Sequence, residues 1–412
     1  MPSAGGRNVR GPARQQLLKR QNLALVLRQV AESPNLSRAQ IAVHTGLTKA
    51  TVSTLVDALM AAGLVIEKDP ERGLMGRPGS PVGLNNRGPA GLGIEINVDY
   101  VSVCVLDLTG TVRWQTTTLA DNRLMTPETV LKLAARTADC LCAKAEAAGL
   151  EISGLGVGVP GLVDFAGVLH RAPNLRDWEG LAVADLLCEM LGRPLRSLYC
   201  DNEANLAALG ERWFASRDDL SDFVFVSGEI GVGAGIVIGG ELFRGVQGLG
   251  GELGHVTVEP SGQACSCGSR GCLETIAGIE ALLEASGGSP AETRSDHSAE
   301  ALLARALADE PATLAALERA GRALGVALGA FLNVLDLPTV VLGGFYALLA
   351  PWLTGPVSDE LRERVVNYSW SSTEVVVSSL GAEASVQGAA GITLRRIIDD
   401  PAGLFEDILT KS

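Results

Sequence analysis

Apolar positions recur along this chain with two periods, and the change from one to the other divides it. Between Arg14 and Ala31, Leu17, Leu18, Leu25 and Val26 fall at helical intervals, which predicts a first helix. The Gly-, Pro- and Arg-rich residues 1–13 before it are expected to be a disordered tail. Ser37-Arg38-Ala39-Gln40 has the capping-box form, Ile41 and Ala42 supply an apolar face, Gly46 permits a tight turn, and Thr48 caps a helix reaching Leu59. Ile66 to Leu84 is short, turn-rich and basic around Gly76-Arg77-Pro78-Gly79, as expected of a hairpin wing. From Gly91 the pattern becomes strand-like. Gly93 to Asp107 is a long apolar run ending in the turn Leu108-Thr109-Gly110, and Val112 to Thr118 returns as a second strand. A helix at 127–148 and a strand at 153–159 follow. A second set then comprises strand 195–200, helix 203–215, strands 222–227 and 233–239, a helical stretch 298–334, strand 339–342 and a closing helix near 384–399. Two successive sets predict an α/β domain, residues 91–400, of two lobes with a cleft between them. Ser286 to Ser298 reads as a flexible insert.

At 412 residues the chain is long enough for two or three domains. Its net charge of −13 hides an asymmetry. Residues 1–90 hold twelve Lys or Arg against five Asp or Glu, a balance of +7, which leaves −20 for residues 91–412. The basic end is where nucleic acid belongs. Residues 14–85 therefore read as an all-α-type winged helix-turn-helix, with Thr48, Lys49, Ala50, Thr51 and Ser53 facing a major groove and Arg77 reaching a minor groove. A small helical protein-interaction domain is the alternative. No apolar run approaches the roughly 18–20 residues that span a bilayer, and Arg7, Arg10 and Arg14 precede a polar helix without a signal-peptide core. A cytoplasmic protein without membrane contact is expected.

Three of the eight cysteines cluster as Cys265-x-Cys267-x₄-Cys272, and His255 lies ten residues before them. Three thiols and an imidazole supply a tetrahedral set that holds structural zinc, residues 255–272 forming the loop. All four positions are protein groups, so no catalytic role follows. Unligated thiols are the alternative. The five others, Cys104, Cys140, Cys142, Cys188 and Cys200, sit in apolar segments and read as buried thiols. With metal on one ring nitrogen, His255 can offer the other to a ligand hydroxyl, and Glu252 lies one turn before it.

The sequence resembles the ROK family, which contains sugar kinases and winged-helix repressors built on an actin-like, ribonuclease-H-like two-lobed domain. The matching stretches are Gly156-Val157-Gly158-Val159-Pro160-Gly161, Asn174-Leu175, Asp201 to Glu211, Gly231 to Gly235, Glu252 to Glu274 and Val341-Leu342-Gly343-Gly344. The resemblance implies a sugar site formed by Asn174, Asn202, Glu203, Glu252, His255 and Glu274, with the Pro160-Gly161 turn completing it. Ordinary solvated acids remain the alternative for Glu252 and Glu274. Kinases of the family carry Asp as general base where this chain has Glu203, and a shift of about 1 Å can cost about 10²-fold in rate. They open their first strand with Asp-x-Gly-Gly-Thr, where this chain reads Glu95-Ile96-Asn97-Val98-Asp99, and their Gly-Thr-Gly becomes Glu229-Ile230-Gly231. Gly343-Gly344 remains, but close packing would use a glycine pair equally well. The expectation is a sugar-responsive regulator, a repressor, that binds operator DNA as a homodimer or homotetramer and has no enzymatic activity. An ATP-dependent sugar kinase with a DNA-binding domain is the runner-up, and a zinc-stabilised module for a protein partner the third class.

Overall fold

The structure, a computed structural model, describes residues 11–68, 80–217, 219–289 and 298–405. Helix α1, Gly11–Glu32, starts inside the segment expected to be a tail. Its buried face is Leu23, Val26, Leu27 and Val30, whereas Leu17, Leu18 and Leu25 are exposed. Of the four positions that predicted the helix, only Val26 is core, because the stripe follows the two surfaces α1 packs between. The helix-turn-helix follows as β1 (Leu36–Ser37), α2 (Arg38–Thr45), α3 (Lys49–Ala61), β2 (Val65–Glu67) and β3 (Pro81–Leu84), with antiparallel order β1-β3-β2. The capping box forms in both directions: Ser37 N donates to Gln40 Oε1 at 2.9 Å, and Gln40 N to Ser37 Oγ at 3.4 Å. Gly46 takes φ +71°, which a side chain would resist, and so turns α2 into α3.

Two five-stranded sheets of the same plan make up the rest. The first contains β4 (Pro89–Ile96), β5 (Tyr100–Asp107), β6 (Val112–Leu119), β7 (Glu151–Val159) and β10 (Ser197–Asn202), in order β10-β7-β4-β5-β6. Helices α4 (Pro127–Ala147) and α5 (Val183–Leu191) and the ribbon β8 (Leu162–Val163) with β9 (Leu169–Arg171) belong to this lobe. Helix α6 (Glu203–Phe214) leads into the second sheet, β11 (Phe223–Gly228), β12 (Val232–Ile238), β13 (Glu241–Phe243), β14 (Thr339–Gly344) and β15 (Glu374–Val377), in order β13-β12-β11-β14-β15. Helices α7 (Glu274–Ala277), α8 (Ile279–Ala285), α9 (Ser298–Leu307), α10 (Pro311–Leu335), α11 (Phe345–Leu348) and α12 (Ala350–Arg364) complete that lobe, and α13 (Ala384–Asp399) and α14 (Pro401–Leu404) close the chain. Each sheet is an antiparallel meander of three strands extended by two parallel ones. The long apolar run at 93–107 is two strands, since Asn97 N bonds to Tyr100 O at 2.9 Å and reverses the chain. The stretch 298–334 is likewise broken, by Asp309 at φ +52° and by Pro311 at the start of α10.

Each lobe has its own apolar core, and α13 crosses between the two sheets against α6. The helices approach so closely that a Cβ on Gly388 would lie 1.8 Å from Leu206 O, which explains the glycine. A third core joins the N-terminal domain to the rest. Leu23, Val26, Leu27 and Val30 of α1, with residues of α2 and α3, share it with Cys104 and Leu106 of β5 and Val386, Leu394 and Ile397 of α13. Arg20 Nε pairs with Asp400 Oδ1 and Arg28 Nε with Asp399 Oδ1, both at 2.7 Å, at its margin.

Candidate functional site

A cleft of about 290 Å³ opens between the lobes, at the small end of the roughly 300–1,000 Å³ typical of ligand pockets. Its walls come from the loop after β4, the Pro160-Gly161 turn, the loop carrying Asn174, the start of α6, the β11–β12 turn, the glycine-rich segment 248–251 and the thiol loop. All six sugar-site residues predicted from the sequence, Asn174, Asn202, Glu203, Glu252, His255 and Glu274, line this one cleft. Asn97, from the segment that stands where the family's kinases carry Asp-x-Gly-Gly-Thr, lines it too, as does Arg171, which no motif marks.

Their geometry differs one from another. Asn202 caps α6, accepting from Ala204 N at 2.8 Å, and donates to Gly161 O at 3.0 Å, so its amide fixes the Pro160-Gly161 turn. Glu274 accepts from Val232 N at 3.4 Å. A Cβ on Gly231 would lie 2.3 Å from Glu274 Oε2, so the glycine clears room for that carboxylate. Glu252 Oε2 lies 3.9 Å from His255 Nε2 with about half of its side chain exposed, and partial desolvation in the cleft raises its pKa. Burial likewise pushes Glu203 up to about 8, with Oε2 buried and unpaired. Glu203 also lines a narrow chamber behind the cleft with Glu95, Glu229 and Ser385. Burial pushes Glu95 up to about 7 despite the hydrogen bond from Tyr100 Oη at 2.7 Å, and raises Glu229 well above the usual range. Gly343 and Gly344 serve packing: a Cβ on Gly343 would lie 2.0 Å from Phe225 Cζ, and one on Gly344 2.0 Å from Gly228 O.

The thiol loop adjoins the cleft. Ligand atoms of His255, Cys265, Cys267 and Cys272 all lie within 4.8 Å of one another. Cys267 Sγ to Cys272 Sγ and Cys265 Sγ to His255 Nδ1 both measure 3.7 Å. Tetrahedral zinc–sulfur bonds of about 2.3 Å place their sulfurs about 3.8 Å apart, so the donor set fits a tetrahedral metal, whereas a disulfide needs about 2.05 Å. Gly271, at φ +67°, makes the fold of the loop possible: any Cβ there would collide with Glu259 O. His255 thus presents Nδ1 to the thiols and Nε2 toward Glu252 and the cleft. Of the remaining cysteines, Cys104, Cys142 and Cys200 are buried as expected, but Cys188 is only half-buried and Cys140 is exposed, because Cys140 falls on the outer face of α4.

In the N-terminal domain Lys49 and Ala50 are exposed at the start of α3, with Ser53 one turn on. Thr48 Oγ1 accepts from Thr51 N at 3.1 Å, so both threonines take part in capping the helix. Thr54, exposed beside Ala50, extends the same face and was missed because its hydroxyl bonds to Ala50 O, a helix-interior habit without a sequence mark. Arg38 braces the back of α3 against the sheet through Asp57 at 2.7 Å and Glu67 at 2.8 Å. Arg77 lies outside the described residues. No helix among the described residues is long and apolar enough to cross a membrane.

Known proteins agree with this arrangement. Residues 22–73 match the MarR family. The xylose repressor of Bacillus spizizenii is 30% identical over 389 residues, covering 94% of this chain and 98% of its own. A glucokinase of Thermotoga maritima is 33% identical over 269 residues, 60% of this chain and 81% of its own, so the two-lobed part also resembles an enzyme. A crystal structure of a ROK family transcriptional regulator, homologue of the E. coli MLC protein, superposes with a TM-score of 0.78 at 24% identity, over 96% of this chain and 100% of that one. Residues 91–396 match the ROK family, and with a winged helix in front of that domain the chain belongs to it.

Proposed function

We propose that this protein is a sugar-responsive transcriptional repressor. Its winged helix holds operator DNA through the exposed start of α3 and the wing, and a neutral sugar enters the cleft between the lobes. The observation that carries this reading is the continuous core from α1 through α13, because α13 packs on α6 and the first turn of α6 lines the cleft. A change of lobe angle on sugar binding therefore moves the surface on which the DNA-binding domain rests. Hydroxyl groups suit the cleft: Asn174, Glu252, His255 Nε2 and Glu274 offer donors and acceptors side by side, and burying one unpaired costs roughly 1–3 kcal/mol. Relatives named xylose repressors make xylose the first sugar to test.

His255, Cys265, Cys267 and Cys272 would hold zinc, which fixes the His255 ring and ties the loop to the start of α7. Operator binding by a homodimer or homotetramer with paired half-sites follows from the small contact area of one helix-turn-helix. Against kinase activity stand the change from the family's Asp to Glu203, which displaces the base carboxylate by about 1 Å, and Glu229-Ile230-Gly231 in place of the family's Gly-Thr-Gly. Glucokinase relatives keep the enzymatic reading testable. Fluorescence anisotropy on DNA upstream of the gene, at fixed salt and with a sugar panel, decides the matter. One sugar should shift the binding curve, and no ADP should be released from ATP with any hexose or pentose. Tight binding that no sugar alters, or sugar-dependent ADP release, would overturn the reading.

A further inference from the structure

A groove of about 1250 Å³ lies behind the sugar cleft, among β10, α6, β13, α13 and the end of α1. Six arginines line it, Arg196, Arg212, Arg217, Arg244, Arg395 and Arg396, in a region of the chain whose net charge is −20. Some are compensated: Arg196 pairs with Glu151, Arg217 with Asp219 and Glu374, and Arg395 with Asp399. Others are not. Arg396 gives its hydrogen bonds to Leu198 O and Ser197 Oγ, neither of them an anion. Arg212 Nε is buried without a partner, and so is Arg244 Nε, although Arg244, only 7% exposed, pairs through Nη2 with Asp201. A buried unpaired donor costs free energy until something accepts from it, so two in one groove point to an absent acceptor. Arg244 and Arg396 also stack over Phe165 and Tyr199 at 4.8 and 4.7 Å, which holds both guanidinium planes for bidentate contact.

We propose that this groove is a second effector site, for a small phosphate-bearing anion. Glu32, Glu241, Asp399 and Asp400 on its walls disfavour an extended polyanion such as a DNA backbone, whereas a small dianion can reach Arg212 and Arg396, which have no anionic partner. The site touches both functional ends of the molecule. Arg244 donates to Val163 O at 2.8 Å and pairs with Asp201 Oδ1 at 3.2 Å, immediately before Asn202 of the sugar cleft. On the other side Arg395 shares Asp399 with Arg28 of α1. An anion that draws on these arginines would alter the hold on both.

The test uses the full-length protein with inorganic phosphate, pyrophosphate and glucose 6-phosphate, against glucose and sodium chloride at equal ionic strength, read by calorimetry and thermal shift. Pyrophosphate or glucose 6-phosphate should bind saturably. Tighter binding of the sugar phosphate would identify a phosphorylated sugar as the ligand, and equal binding the phosphate group alone. The double variant Arg212→Gln, Arg396→Gln should lose at least tenfold in that affinity and keep its response to neutral sugar. Arg212→Gln alone, which removes no hydrogen bond seen in the structure, keeps the test readable if the double variant folds poorly. Three results would overturn the proposal: no saturable anion binding, affinity unchanged in the variants, or operator affinity lost in the variants before any anion is added.

Discussion

Two clusters of ionisable groups flank the same cleft, and they resolve their mutual repulsion differently. In the thiol loop four donor atoms all lie within 4.8 Å of one another, and among the described residues this is the one set so arranged. In the chamber behind the cleft Glu95, Glu203 and Glu229 share a wall but do not form such a set, and burial favours their protonated forms. Convergence selects a cation; dispersal in an apolar wall selects neutralisation. The first cluster includes His255, whose other ring nitrogen lies toward Glu252 and the cleft, and the second lies where Glu203 also lines the cleft.

Breaking the first cluster should have the largest effect. Cys267→Ser should lose the metal, measured by atomic emission, and weaken the sugar response at least tenfold, about 1.4 kcal/mol, because His255 and Glu274 lose a common anchor. Unchanged sugar affinity in a metal-free variant would separate the loop from the sensor.

The second cluster predicts a pH dependence of definite sign. Glu203 titrates near 8 in the folded chain and near the ordinary 4.5 when unfolded, so the folded state binds more protons between those values. Its contribution to stability is full below about 4.5 and is lost as pH rises through about 8, with Glu95 acting the same way up to about 7. Melting temperature should therefore fall between pH 5 and 9, by roughly 2–4 °C per kcal/mol for a domain of this size. Glu203→Gln should flatten the upper part of that fall. An equally steep profile in the variant would show that Glu203 is not the group titrating.

Much of this was legible in the sequence because it rests on local chemistry. Ser37 with Gln40, Thr48 and the Cys265–Cys272 spacing each state their geometry within a few residues, and the structure places them so. The sugar-site residues were reached through motif resemblance, and they do converge on one cleft. What the sequence withheld depends on long-range contact. The buried face of α1 could not be phased without α13, which lies some 360 residues later. The hairpin at Asn97 hid in a continuous apolar run, and helix α5 has no motif at all. Nor could Arg212, Arg244 and Arg396 be seen to share a groove, since they come from three separate elements.

The smallest effect comes from a single hydroxyl. Tyr100 Oη donates to Glu95 Oε1 at 2.7 Å and receives a bond from Asn97 Nδ2 at 3.1 Å. That donation favours the charged form of Glu95 and so holds its pKa lower than burial alone would set it. Tyr100→Phe removes the donor while keeping the ring, so Glu95 should titrate higher and the lower part of the stability fall should move to higher pH. Overall stability at pH 6, where Glu95 is protonated in both proteins, should change by only about 1 kcal/mol. The shift should vanish in a Glu95→Gln background, because no carboxylate remains for the hydroxyl to act on. If it persists there, Tyr100 acts through packing, and the chamber's protons are set by burial alone.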